Sequence, residues 1–98
     1  MEVVLCEPAG WYLLREDGRH YLDVNCMQSF VSFSVLLQLD DEEESEYIGL
    51  GRTFIDYLAA KVAYWPERYR SRNIKGALAD EMHEAVMTWL RARGDRRA

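Results

Sequence analysis

The chain has 98 residues, an apolar fraction of 49% and a formal net charge of −5 at pH 7. This length favours one domain with a modest core. No apolar run approaches the roughly 18 residues that a membrane-spanning helix needs. The short apolar run near the N-terminus lies between Glu2 and Glu7, where a secretory signal would carry basic residues. The sequence therefore predicts a soluble, cytoplasmic protein.

Strand patterns fill the first 39 residues. Residues 2–7 predict a first strand, and Asp17-Gly18 is typical of a two-residue type I′ turn joining strands at 11–16 and 19–26. This turn would pair Trp11 with Val24 and Leu13 with Leu22.

A turn at 27–29 would lead into a long strand over residues 30–39. Its odd positions are all apolar, and this period of two predicts one buried face made of Val31, Phe33, Val35, Leu37 and Leu39. Because short connections favour pairing in chain order, we expect a meander of three or four antiparallel strands.

Helical patterns follow the strands. Asp40 and Asp41 are candidate N-caps, and Glu44 could complete a capping box with Asp41. The first predicted helix covers residues 41–65, and Gly49 and Gly51 predict either a bend or a close approach of the backbone to the sheet. Residues 66–75 predict a surface loop, and residues 75–93 a second helix. The expected fold is α+β, with both helices packed on one face of the antiparallel sheet.

An acidic run opens the first predicted helix. We expect a docking surface for a basic protein partner at Glu42, Glu43, Glu44 and Glu46, because so many acids create a field stronger than helix capping requires. The alternative is an ordinary solvated helix terminus.

A basic run follows the first helix. In an extended loop, alternate residues point to one side, so the sequence predicts an anion-binding site at Arg68, Arg70, Arg72 and Lys75. The alternative is a solvated loop whose cations pair with the protein's own acids. The net negative charge argues against nucleic acid as a partner.

The second face of the predicted hairpin is partly apolar. Tyr12, Leu14 and Tyr21 share this face, so they are candidates for self-association into a homodimer, although another part of the chain could also cover them.

Other chemistry finds little support in the sequence. Gly49-Leu50-Gly51 lies inside a helix pattern and follows acids, whereas a phosphate-binding loop should open a helix. His20 and His83 have no neighbouring ligand motif, and Cys6 and Cys26 lie in apolar strands as reduced, buried thiols would. We therefore expect no cofactor, no metal site and no catalytic constellation.

Four features occur in a characteristic order: residues 21–26, the phenylalanine-serine strand, the acid-capped helix with Gly51-Arg52-Thr53-Phe54, and Arg72-Asn73-Ile74. This layout resembles that of small acidic bacterial α+β proteins, some of which are similar to immunity proteins that neutralise toxins. It implies a non-catalytic protein-interaction module, of which an immunity-type inhibitor is one form. The alternative hypothesis is an anionic-ligand-binding domain or small enzyme that uses the basic loop at 68–75.

Overall fold

A computed structural model describes residues 1–28 and 30–95 of the chain. Its strands are β1 (Glu2–Glu7), β2 (Trp11–Glu16), β3 (Arg19–Gln28) and β4 (Val31–Gln38), which form one antiparallel sheet in the order β1-β2-β3-β4. The helices are α1 (Asp41–Leu50), α2 (Arg52–Tyr64) and α3 (Ala77–Asp95), with a 3₁₀ helix at Pro66–Arg72. The predicted α+β fold with an antiparallel meander is confirmed.

The β2–β3 hairpin forms as its turn residues predict. Asp17 and Gly18 both have positive φ angles, 53° and 76°, as a type I′ turn requires. The register pairs Trp11 with Val24 and Leu13 with Leu22, so the predicted pairing is confirmed. Of the predicted turn at 27–29, Met27 and Gln28 belong to β3, and Ser29 lies outside the described residues.

The two faces of the sheet are covered by different helices. On the first face α2 packs Ile55, Leu58 and Val62 against a core that includes Leu22 and Leu37. Here the predicted period of two is correct for the second half of β4 and the residue after it, since Val35, Leu37 and Leu39 are buried.

The predicted packing of both helices on one face is wrong. Met82 and Val86 of α3 pack against Leu14 and Leu36, whose side chains point to the face opposite α2. The physical reason is that both faces of the sheet carry apolar side chains. A single covering layer would have left Leu14 and Leu36 in water.

The predicted helix at 41–65 is broken into α1 and α2. Gly51 has φ 62° and ψ −142°, which L side chains rarely adopt, so the predicted bend falls at Gly51 rather than at Gly49. The capping box is formed by Asp40 and Glu43, one residue earlier than predicted. No residue of α1 is buried. Within the described residues, no helix is both long enough and apolar enough to cross a bilayer.

Strand β3 extends further than β2. Pairing between them ends at Trp11 and Val24, whereas β3 and β4 stay paired as far as Gln28 and Val31. Residues 25–28 and 31–34 therefore form a two-stranded ribbon that extends past the paired part of β2. We call this ribbon the arm.

The helix break yields a prediction about stability. We expect Gly51→Ala to lower the free energy of unfolding by about 1–3 kcal/mol, because alanine strains this backbone conformation. Gly49→Ala is the matched control. Gly49 lies inside α1 with open space around the position of a Cβ, so alanine should stabilise the protein by about 1 kcal/mol. Urea denaturation measures both changes, and equal effects at the two glycines would contradict the assignment of the break to Gly51.

Candidate binding surface at the open edge of the sheet

Two of the four acids predicted to bind a partner are used inside the molecule. Glu43 accepts hydrogen bonds from Arg72 at 2.6 and 3.0 Å and one from the Asp40 backbone N–H at 2.9 Å. Glu44 accepts a hydrogen bond from the His20 backbone N–H at 2.8 Å and lies 2.7 Å from His20 Nδ1. Of the four predicted acids, only Glu42 and Glu46 are exposed, and both line a groove together with Lys61.

The predicted basic site lies largely on a 3₁₀ helix. Residues 66–72 form a 3₁₀ helix that starts at Pro66, not an extended loop, so alternate arginines do not share one side. Arg72 pairs with Glu43, and Arg68 lies over the Trp65 ring at 4.9 Å. Arg70 and Lys75 are exposed. Two of the four cations therefore have partners within the molecule, and the extended geometry on which the predicted site depends does not form at 66–72.

The residues predicted to self-associate are covered by the chain itself. Leu14 is fully buried, Tyr12 packs edge-to-face on Trp89 of α3 at 5.9 Å, and Tyr21 packs against the same apolar cluster. This placement contradicts their use as a dimer surface. The alternative that another part of the chain covers them is the correct one.

The described residues give no support to thiol chemistry at Cys26 or to a metal site. Cys26 is buried, and burial raises the pKa of its thiol, so the reactive thiolate is disfavoured. Among residues 1–28 and 30–95, no group of three or more histidine, cysteine or acidic side chains could hold a metal ion.

The arm carries the exposed apolar side chains that the rest of the sheet lacks. Met27 is 70% exposed, Val31 61% and Phe33 37%, and Phe30 beside the arm is fully exposed. The prediction that Val31 and Phe33 are buried is therefore wrong. The helices cover the four-stranded part of the sheet and reach the arm at Cys26, which lies against Val62 of α2. The apolar pattern of β4 continues past this covered area.

The outer edge of β4 is half covered. The Leu36 N–H donates to Asn73 Oδ1 at 2.9 Å, and the Leu36 C=O accepts from the Ile74 N–H at 2.8 Å. The Gln38 C=O accepts from Arg72 at 3.0 Å. The segment at 72–74 therefore occupies this part of the edge.

The other half of the edge is open. In an antiparallel strand the N–H and C=O groups of every second residue point to the same side, so those of Ser32 and Ser34 point outward like those of Leu36. Within the described part of the chain, no protein group bonds these outward groups. We call the outer side of residues 31–35 the open edge.

The opposite edge of the sheet is protected in ways that the open edge is not. Strand β1 has a register shift between Val3 and Leu5, and it carries Glu2 and Glu7, which pair with Arg15 and Arg52 at 2.8 Å. Bulges and charges are the usual means by which edge strands avoid pairing with other chains. The open edge, Val31-Ser32-Phe33-Ser34-Val35, has no charge, proline or bulge.

A shallow groove borders the open edge. It is lined by Phe33 and Val35 on the strand and by Pro66, Glu67 and Arg70 on the 3₁₀ helix. Sequence reasoning missed this surface, although two signals were present. The apolar alternation of β4 continues without a charge, and the strand pattern after Asp17-Gly18 is longer than the one before it.

A buried carboxyl group lies on the α3 face of the sheet. Asp23 is only 7% exposed, and desolvation raises its pKa above the ordinary value of 3.8, while His83 and Ser34 act in the opposite direction. The folded protein therefore holds this proton more tightly than the unfolded chain does.

The ion pair of Glu43 with Arg72 can be tested by mutation. We expect Glu43→Ala to lower the free energy of unfolding by about 1–3 kcal/mol, since it removes both the reciprocal cap and a charged hydrogen-bonded pair. Glu42→Ala is the matched control on the same turn, and its effect should stay within about 0.5 kcal/mol because Glu42 is exposed. Equal losses in urea denaturation would show that Glu43 has no special structural role.

Asp23 predicts a dependence of stability on pH. Because the folded-state pKa is raised, the protonated carboxyl favours folding at low pH, and this advantage is lost as the pH rises from about 3.8 through the folded-state pKa. Asp23→Asn removes the ionisation. The melting temperature of the variant minus that of the wild type should therefore be higher at pH 7 than at pH 3. A difference that is the same at both pH values would contradict the raised pKa.

The chain has also been compared with protein-family models, curated proteins and solved structures. None of the three comparisons found a match. The candidate binding surface is therefore defined by its own geometry, in which an uncharged strand edge with outward backbone groups lies beside exposed apolar side chains.

Proposed function

We propose that this protein is a non-catalytic protein-interaction module that binds an extended segment of a partner by adding it to the sheet at the open edge. The observation that supports this proposal most directly is the outward N–H and C=O groups of Ser32 and Ser34, which lie where a further strand would pair. Main-chain hydrogen bonds would supply affinity in this mode, and side-chain contacts would supply specificity.

The exposed apolar side chains support the same proposal. A two-stranded ribbon is at best marginally stable in water, and the arm exposes Met27, Val31 and part of Phe33. A partner strand at the open edge would cover Val31 and Phe33 on the α2 face while Ser32 and Ser34 would pair on the other. Alternating apolar and small polar residues would therefore suit the partner segment.

The acidic residues take a smaller part in this proposal than the sequence predicted. Glu43 and Glu44 are bound within the molecule, which leaves Glu42 and Glu46 to bias the approach of a partner through long-range attraction. Inhibition of a toxin, which the resemblance to immunity proteins implies, would be one use of such a module.

A proline substitution tests strand addition. We expect Ser34→Pro to keep the fold, because the lost N–H points away from β3, and to abolish the pairing of an added strand. Ser34→Thr is the matched control, since it keeps the N–H and is favourable in a strand. The measurement is selection of peptides from a displayed random library against the wild-type protein immobilised at low density, followed by binding assays with both variants.

The expected result is a set of peptides with alternating apolar and polar residues that bind the wild type and Ser34→Thr but not Ser34→Pro. Circular dichroism should give the same spectrum for all three proteins. Recovery of no peptide, or of peptides that bind folded Ser34→Pro equally well, would overturn the proposal.

A further inference from the structure

We infer that the open edge pairs with the open edge of a second copy of this chain. The two β4 strands would run antiparallel about a twofold axis at Phe33 and join the two sheets into one. This inference rests on the proposed function, because it names the occupant of the same surface. It moves self-association from Tyr12, Leu14 and Tyr21, which α3 covers, to a part of the sheet that is exposed.

The sequence of the open edge is a palindrome. Val31-Ser32-Phe33-Ser34-Val35 reads the same in both directions, and an antiparallel strand pair reads one copy in each direction. With the axis at Phe33, Val31 would face Val35 of the second copy, and Ser32 would face Ser34. Apolar residues would thus meet apolar residues, and hydroxyls would meet hydroxyls, along the whole contact.

The hydrogen-bonding pattern is compatible with the same register. The outward backbone groups belong to Ser32 and Ser34, and in an antiparallel pair such residues must lie opposite each other to exchange N–H···O bonds. The axis at Phe33 brings Ser32 opposite Ser34 of the second copy, and symmetry repeats the exchange on the other side. A shift of one residue would oppose outward groups to inward ones and lose these bonds.

The boundaries of the open edge also fit this pairing. Beyond Val35, the edge is occupied by Asn73 and Ile74, which bond Leu36. Beyond Val31, β4 ends. With the axis at Phe33, Leu36 would lie opposite residue 30 of the second copy. The β4 strand of that copy begins at Val31, so the covered position at Leu36 lies beyond its end.

Charge is compatible with two identical chains. Each carries a net charge of −5, so a random contact between copies is repulsive. The open edge has no charged residue, and the groove beside it is bordered by one residue of each sign, Glu67 and Arg70. Contact at this place therefore avoids bringing like charges together along the strands.

The twofold axis at Phe33 allows a test by disulfide formation. Opposed residues in a non-hydrogen-bonded antiparallel pair have Cα atoms about 4.5 Å apart, which lies within the range for a disulfide of about 4.4–6.8 Å. Phe33→Cys, in a Cys6→Ser background, should therefore form a covalent dimer under mild oxidation on a non-reducing gel. Cys26 can stay, since it is buried.

Val31→Cys in the same background is the matched control. Residue 31 is more exposed than residue 33, so random collision would oxidise its thiol more readily. In the proposed register, however, the two copies of residue 31 lie about 13 Å apart along the strands, which is too far for a disulfide. The expected result is at least a tenfold faster dimerisation of Phe33→Cys than of Val31→Cys. Equal rates, or faster oxidation of Val31→Cys, would overturn the register.

Sedimentation analysis of the unmodified protein provides the second measurement. The wild type and Ser34→Thr should change reversibly from the 11.5 kDa monomer mass to twice that mass as concentration rises, whereas Ser34→Pro should stay monomeric. A wild type that is monomeric throughout, together with no preference for cross-linking at residue 33, would overturn the second copy as the occupant. In that case, peptides that bind the wild type but not Ser34→Pro would still support strand addition, so the two proposals fail separately.

Discussion

The difference in length between β2 and β3 is the constraint on which the rest of the molecule depends. β2 has 6 residues and β3 has 10, so β3 has a neighbour on both sides for only part of its length. The helices cover the part where four strands lie side by side, since apolar side chains occur there on both faces. Beyond Val24, the sheet narrows to the arm, where Cys26 is still buried under α2 but Met27, Val31 and part of Phe33 are exposed.

Helix α1 shows how the charged residues stabilise this arrangement. None of its residues is fully buried, and Tyr47 is its partly buried side chain that packs against the core. Its acids also bond to other elements: Glu44 to His20 in β3, and Glu43 to Arg72 at the end of the 3₁₀ helix. One ion pair, Glu43 with Arg72, thus joins the acidic run to the basic run, and these two side chains are used inside the molecule.

The sequence predicts local structure better than it predicts which surfaces stay free. The Asp17-Gly18 turn and the pairing of Leu13 with Leu22 follow from short-range rules and are confirmed. The predicted placement of α3 is wrong, because a helix pattern shows that one stripe of the helix is buried but does not show which face of the sheet covers that stripe. The apolar residues at Leu14 and Leu36 were the signal that both faces needed cover. The ion pair between Glu43 and Arg72 joins residues 29 positions apart and depends on the complete fold, as does the exposure of Val31 and Phe33.

The contrast between the two sheet edges has a consequence for the size of any assembly. A sheet whose two edge strands can both pair adds molecules without limit and grows into a fibril, whereas a sheet with one such edge strand stops after a single addition. The register shift of β1 and the salt bridges at Glu2 and Glu7 hinder pairing at its outer edge. Pairing through β4 would use the remaining free edge, so this fold can expose a strand that is able to pair and still be limited to a finite particle.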